Sequence, residues 1–134
     1  MKLLDTDTCI GLLKGDYAVV SSWRACVDQC ALPSIVIGEL YYWAFKSAVR
    51  EKELVRVDRF VDIFPEIKTS RRSMRRFSEI KATLEQNGTR LPDADIIVAS
   101  IAINEGLALV TGNVRHYSRI EGLVIENWFE RIEN

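Results

Sequence analysis

The sequence predicts an α/β fold, a three-layer α/β/α sandwich around a central, mainly parallel sheet. Short apolar runs alternate with segments of helical periodicity along the whole chain, as strands alternating with helices do in parallel sheets. The first run, "MKLLD", reads as a short buried strand that stops at an acid. Residues 94–106, "ADIIVASIAINEG", form a helix that is apolar nearly all round and must therefore be covered on most sides. With 134 residues, 15.3 kDa and 48% hydrophobic residues, the chain suits one domain, 1–134, with a real core.

The elements follow in order. After the first strand, "TDTCIGLLKG" gives a brief helix with Gly15 as its stop. Val19, Val20, Trp23, Cys26, Val27 and Cys30 recur at helical spacing. "ALPSIVI" reads as a second strand, passing quickly into the helix "GELYYWAFKSA", which carries Glu39 near its beginning. Leu54, Val57, Phe60 and Val61 mark a further helix, halted by Pro65. "EIKT" is a short third strand. Ser70 opens a long helix that ends at Asn87 and Gly88. Asp93 is placed to cap the apolar helix ending at Gly106; "LALVT" and "LVIEN" are the fourth and fifth strands. No repeat, low-complexity tract or linker interrupts this order.

Composition excludes several classes. A net charge of −1 supplies no global field for nucleic acid, so any such contact needs a local basic patch. The first residues lack the apolar run of a signal peptide, and no stretch approaches the roughly 18 apolar residues of a membrane span. Three cysteines without paired spacing suit a reducing cytosol, and Cys26 and Cys30 read as buried thiols rather than a zinc site. A cytoplasmic protein without membrane contact is expected. No Gly-rich phosphate loop, serine nucleophile elbow or zinc motif is present.

The acids carry the chemistry. In an open parallel sheet, ligands collect beyond the carboxyl ends of the strands. Asp5 closes the first strand, Glu39 follows the second, and Thr111 with Asn113 closes the fourth. Asp95 lies in the first turn of the buried helix that feeds the fourth strand. Carboxylates gathered there would repel unless a hard divalent cation such as Mg²⁺ joined them. Taken singly, each acid has a plainer use. Asp5 or Asp7 can cap a helix for about 1 kcal/mol, and Glu39 can be an exposed helix carboxylate. Asp95 is harder to dismiss, because Asp93 already suffices as a cap.

Other groups bear on partners. His116 is the only histidine, with a surface position or a phosphate contact beside Asn113 as its two readings. Arg71, Arg72, Arg75 and Arg76 share a helix face with Glu79, either as a solvated face or as a phosphate contact. Arg115 and Arg119, nearer the acids in sequence, are the stronger candidates for contacts to a nucleic-acid backbone. Tyr41, Tyr42, Trp43 and Phe45 crowd one stretch of helix, so some serve the core and others face a partner.

Four segments occur in a telling order: "LLDTDTCIGLLKG", "IVIGELYYWAFKS", "LPDADIIVASIAINEGLALVTGN" and "RHYSRIEGLVIENW". Together they resemble a PIN domain of the VapC type, the toxin half of prokaryotic toxin–antitoxin pairs, from Met1 to about Trp128. The resemblance implies a metal-dependent endoribonuclease whose metal-binding, catalytic acids fall on Asp5, Glu39 and Asp95. Asp7, where the family often has Asn, becomes accessory, helping to cap the helix and tune the site. Asn113 stands where many PIN nucleases carry an acid, and Thr111 and His116 line the same edge. Mg²⁺ or Mn²⁺ would activate water for in-line attack on structured RNA such as tRNA, leaving a 5′-phosphate and a 3′-hydroxyl. A homodimer and a VapB-like antitoxin whose tail occupies the groove are implied as well. Two alternatives remain: a PIN-like module that binds RNA or protein without cutting, and an RNA-processing PIN nuclease without an antitoxin. Asp5→Ala is expected to abolish cleavage with little loss of fold.

Overall fold

Leu3 and Leu4 lose all solvent contact in β1 (Lys2–Leu4), the middle strand of a five-stranded sheet. The computed structural model describes residues 1–129; the final residues of the expected domain, 130–134, lie outside the described residues. The other strands are β2 (Cys30–Pro33), β3 (Glu66–Ile67), β4 (Ala108–Val110) and β5 (Ile125–Glu126). They lie in the order β3-β2-β1-β4-β5, and every pairing is parallel. Lys2 faces Cys30 on one side and Ala108 on the other. The chain thus leaves β1 toward β2 and returns on its opposite side as β4. That reversal opens a crevice at the carboxyl ends of β1 and β4.

Seven α-helices among the described residues connect and cover the strands, giving the expected three-layer α/β/α sandwich. They are α1 (Thr6–Leu13), α2 (Tyr17–Arg24), α3 (Ser34–Lys46), α4 (Arg50–Val61), α5 (Arg71–Gln86), α6 (Asp93–Glu105) and α7 (Val114–Tyr117). Burial of Ile96, Val98, Ala99, Ile101 and Ala102 on α6 confirms a helix covered on most sides. Ser100 joins them without penalty, because its hydroxyl donates to the Ile96 carbonyl at 2.6 Å. α5 begins as expected: the Ser70 and Ser73 side chains cap each other's backbone N–H groups, at 3.1 and 2.8 Å. Among the described residues no helix is long and apolar enough to cross a membrane.

The structure corrects four expectations. The helical spacing after Val19 stops at Arg24, and Val27–Gln29 form a 3-10 turn. The chain must turn there to bring Cys30 beside Lys2, so strand pairing overrides local periodicity. "SIVI" is helix rather than strand, which puts Glu39 in the middle of α3 instead of near its start. A short apolar run fits either element, and β2 pairs only as far as Pro33 opposite Ile67. Asp93 is not a cap: it is the first residue of α6, after Pro92, and its carboxylate meets Lys81 at 3.1 Å. α7 has too few residues to show a period and was not anticipated.

Candidate active site

The crevice between β1 and β4 opens into a cavity of about 140 Å³. Asp5, Asp7, Glu39, Asp95 and Asn113 line it, with Thr6 and Tyr117 beside them and Val36 and Val98 as apolar wall. Acids from α1, α3 and α6 and from the end of β1 therefore meet in one place.

Asp5 is buried directly after β1, where its backbone N–H donates to the Val110 carbonyl at 3.1 Å. It is the N-cap of α1, with extended backbone, and its Oδ1 accepts the Thr8 N–H at 2.8 Å. Helix capping and a place in the site thus belong to one residue. Burial raises the Asp5 carboxyl above its usual range; hydrogen bonds from Thr111 and Thr8 oppose this, and the nearby Asp7 charge adds to it. Asp7 is exposed in the first turn of α1 and makes no capping bond, so the helix-capping role expected of it belongs to Asp5.

Glu39 Oε1 accepts from the Thr6 hydroxyl at 2.7 Å, which ties α3 to the first residue of α1. Asp95, the third residue of α6, sits 2.8 Å from His116 Nε2 through Oδ2. His116 is therefore behind Asp95 rather than in the cavity wall or loose on the surface. Its neighbour Tyr117 is buried against the acids. Burial first, then the charges of Asp95 and Asp5, hold the Tyr117 hydroxyl protonated far above its usual range. Thr111 is buried beneath the site, accepts the Asn113 N–H at 3.0 Å, and orients its hydroxyl toward Asp5.

All seven acid, amide and accessory positions expected at this edge thus lie in or directly behind one cavity. Arg115 and Arg119 do not line it; both are exposed beyond α7 or on it. Sequence reading missed Thr6 and Tyr117. A hydroxyl next to Asp5 and a Tyr next to the single His were the available signals, and neither distinguishes a site from a surface.

The donor set is carboxylate and amide oxygen, without thiolate or imidazole in the wall, which suits a hard divalent cation. Among the described residues no three His, Cys, Asp or Glu side chains gather tightly enough to enclose an ion by themselves. The cavity therefore fits an ion that keeps part of its water shell rather than a closed protein cage. Among the described residues no lysine or arginine lines it to neutralise the acids.

The PIN domain matches residues 2–123 of this sequence. The chain belongs to the PIN-domain family. Ribonuclease VapC2 of Rickettsia felis is 32% identical over 129 residues, covering 94% of this chain and 96% of the relative. The tRNA(fMet)-specific endonuclease VapC of Salmonella typhimurium is 31% identical, covering 94% and 96%. A chain of the DNA-bound VapBC crystal structure from Salmonella typhimurium superposes with a TM-score of 0.89 at 30% identity, covering 95% of this chain and 97% of that one. The VapC-type PIN resemblance of the sequence is thereby borne out across nearly the full chain. PIN-domain nucleases work with divalent metal ions, and the oxygen-lined cavity of this PIN domain fits that chemistry.

Proposed function

We propose that this chain is a Mg²⁺-dependent endoribonuclease toxin of the VapC type, with Mn²⁺ as a substitute, that cleaves structured RNA such as tRNA. The reading includes a cytoplasmic homodimer, with 1–134 acting as one domain, neutralised by a cognate VapB-like antitoxin. One observation carries it: Asp5, Glu39 and Asp95, from three elements far apart in sequence, line a single cavity at the sheet's switch point.

When bound, a divalent ion supplies an acidified water and neutralises charge building on the phosphoryl group. Asp5, Glu39 and Asp95 supply the oxygens that hold it, directly or through water. Thr8 and Thr111 fix Asp5, Thr6 fixes Glu39, and His116 fixes Asp95, so each carboxylate keeps one orientation. Asn113 offers an uncharged oxygen or amide where a further acid would raise the negative charge. The reaction is hydrolysis: the water oxygen bonds to phosphorus, the bond to the 3′-oxygen breaks, and the products carry a 5′-phosphate and a 3′-hydroxyl. The exposed rings of Tyr42 and Phe45 are available for subunit or antitoxin contacts.

The test is cleavage of total cellular RNA by antitoxin-free protein with Mg²⁺, with Mn²⁺ and with EDTA, followed by end mapping. Asp95→Asn runs alongside, since Asp5→Ala would also remove the cap of α1. Discrete metal-dependent fragments that vanish with Asp95→Asn support the reading. Equal cutting by both proteins would overturn the site assignment, and silence from a folded, RNA-binding protein would overturn the nuclease.

A further inference from the structure

A basic region lies away from the acidic cavity. Arg72, Arg75, Arg76 and Glu79 are spaced to share one face of α5. Together with Asn104 of α6 they line a cavity of about 170 Å³. A neighbouring groove of about 400 Å³ shares Arg76 and Glu79 with it and reaches across to Arg119 and Glu121 after α7. Arg76 and Arg119, remote in sequence, thus face one groove, floored by Ile80, Ile103 and Ile120.

The charges do not cancel. Four arginines oppose two glutamates across the two cavities. The Arg76–Glu79 pair, at 3.1 Å with both side chains about half exposed or more, is a weak surface bridge. Arg72, Arg75 and Arg119 have no carboxylate partner among the described residues. In a chain of net charge −1 this is a local anion-attracting patch, not part of a general field.

The groove also has a direction. α6 begins at the acidic cavity with Asp95 and reaches Asn104 nine residues later, about 14 Å along the axis. Along the other edge, Asn113 and Tyr117 line the acidic cavity, and Arg119 lies two residues beyond Tyr117. Exposed Arg115 precedes it on the same short stretch. Arg119 therefore extends the basic face of α5 toward the segment that follows α7. Guanidinium groups pair with phosphate oxygens in bidentate fashion, and their spread over many ångströms suits a polymer of phosphates rather than one anion.

We propose that Arg72, Arg75, Arg76 and Arg119 form a second RNA-backbone site, separate from the acidic cleft, that grips a folded RNA beyond the step being cut. This rests on the ribonuclease reading for the identity of the polymer, but not on cleavage itself.

The experiment is equilibrium binding of labelled bulk tRNA in EDTA, so that no cutting occurs, across a salt series. The Arg72→Ala/Arg75→Ala protein is expected to bind about tenfold more weakly, and its plot of log K against log salt to be shallower by about 2. Arg72→Lys/Arg75→Lys keeps the charges and is expected to retain most of the slope. Unchanged affinity and slope in the alanine protein would overturn the proposal. So would unchanged RNA binding accompanied by a change in light-scattering mass, which would make this face a contact between copies. Salt-sensitive, arginine-dependent tRNA binding by a protein that never cuts would uphold this site and overturn the nuclease reading alone.

Discussion

His116 Nε2 and Asp95 Oδ2 lie 2.8 Å apart although the residues are 21 positions apart in sequence. A carboxylate only accepts, so the imidazole nitrogen facing it carries the proton. The pair engages Oδ2 of Asp95, and the buried Tyr117 hydroxyl hydrogen-bonds the same carboxylate. The His116 ring is itself braced edge-on by Tyr117, with centroids 5.5 Å apart.

On the proposed metal role of Asp95, His116 acts as a positioning residue, and its removal is expected to be felt in metal affinity rather than in folding. Outer groups that orient a metal-binding carboxylate typically contribute tenfold or more to affinity. His116→Ala is expected to bind Mn²⁺ about tenfold more weakly in a calorimetric titration. His116→Gln, which keeps an N–H donor near the same point, is expected to recover much of the loss. Parent-like Mn²⁺ affinity in His116→Ala would show that Asp95 needs no support.

Asp5 gives a stability prediction with a definite sign. Burial, the largest cause, raises its carboxyl above the ordinary 3.8, so the fold favours the protonated form. Its contribution is fully present below the unfolded value and is lost as pH rises through the raised folded value. At pH 7 without metal, the ionised carboxylate is a cost. Asp5→Asn keeps a good N-cap acceptor for the Thr8 N–H and removes that charge. In EDTA at neutral pH this variant is expected to melt above the parent, with the gap closing as pH falls through the raised folded value and gone below 3.8. Saturating Mg²⁺ should raise the parent's Tm more than the variant's. A variant that melts lower in EDTA at pH 7 would show that the fold tolerates the charge.

Asp5 and Asp95 were legible in the sequence because strand ends and helix starts leave local marks: an apolar run that stops, a proline, an acid. The sheet was legible for the same reason. Glu39 was placed at the right edge, but its helix start was misread, since nothing local in Ser34–Ile37 separates a buried strand from a buried helix. Its partner Thr6, 33 residues away, is a matter of tertiary packing. The same holds for His116 behind Asp95, and for Arg76 and Arg119 along one groove. Local pattern decides elements, whereas contacts between elements need the fold.

Arg56 ties the site's first helix to the body of the protein. Its guanidinium donates to the carboxylate of buried Glu53 at 2.9 and 3.0 Å, and also to the Leu13 carbonyl at the end of α1. Arg56→Ala would leave a nearly buried carboxylate unpaired and a helix-end carbonyl without its donor. We expect a loss of about 2–3 kcal/mol in urea unfolding. Adding Glu53→Gln should recover part of it, because the abandoned charge is then gone. A loss below about 0.5 kcal/mol would place this pair with ordinary surface bridges.

The three thiols are expected to differ sharply in reactivity. Cys26 and Cys30 sulfurs are 4.0 Å apart and both thiols are free. Burial, reinforced by Cys26, pushes the Cys30 thiol up to about 12, and burial lifts Cys9 well above its usual value with Asp5 adding to it. Neither forms much thiolate at neutral pH, and both are closed to solvent, while Cys26 is partly exposed. Iodoacetamide at about pH 7.5 is expected to place one adduct on the folded protein, at Cys26, read by peptide mass mapping. Unfolding should expose all three cysteines to the reagent. Cys26→Ser should then show no adduct while folded. An adduct on Cys9 in the native state would mean that α1, and with it Asp5, opens far more readily than its packing implies.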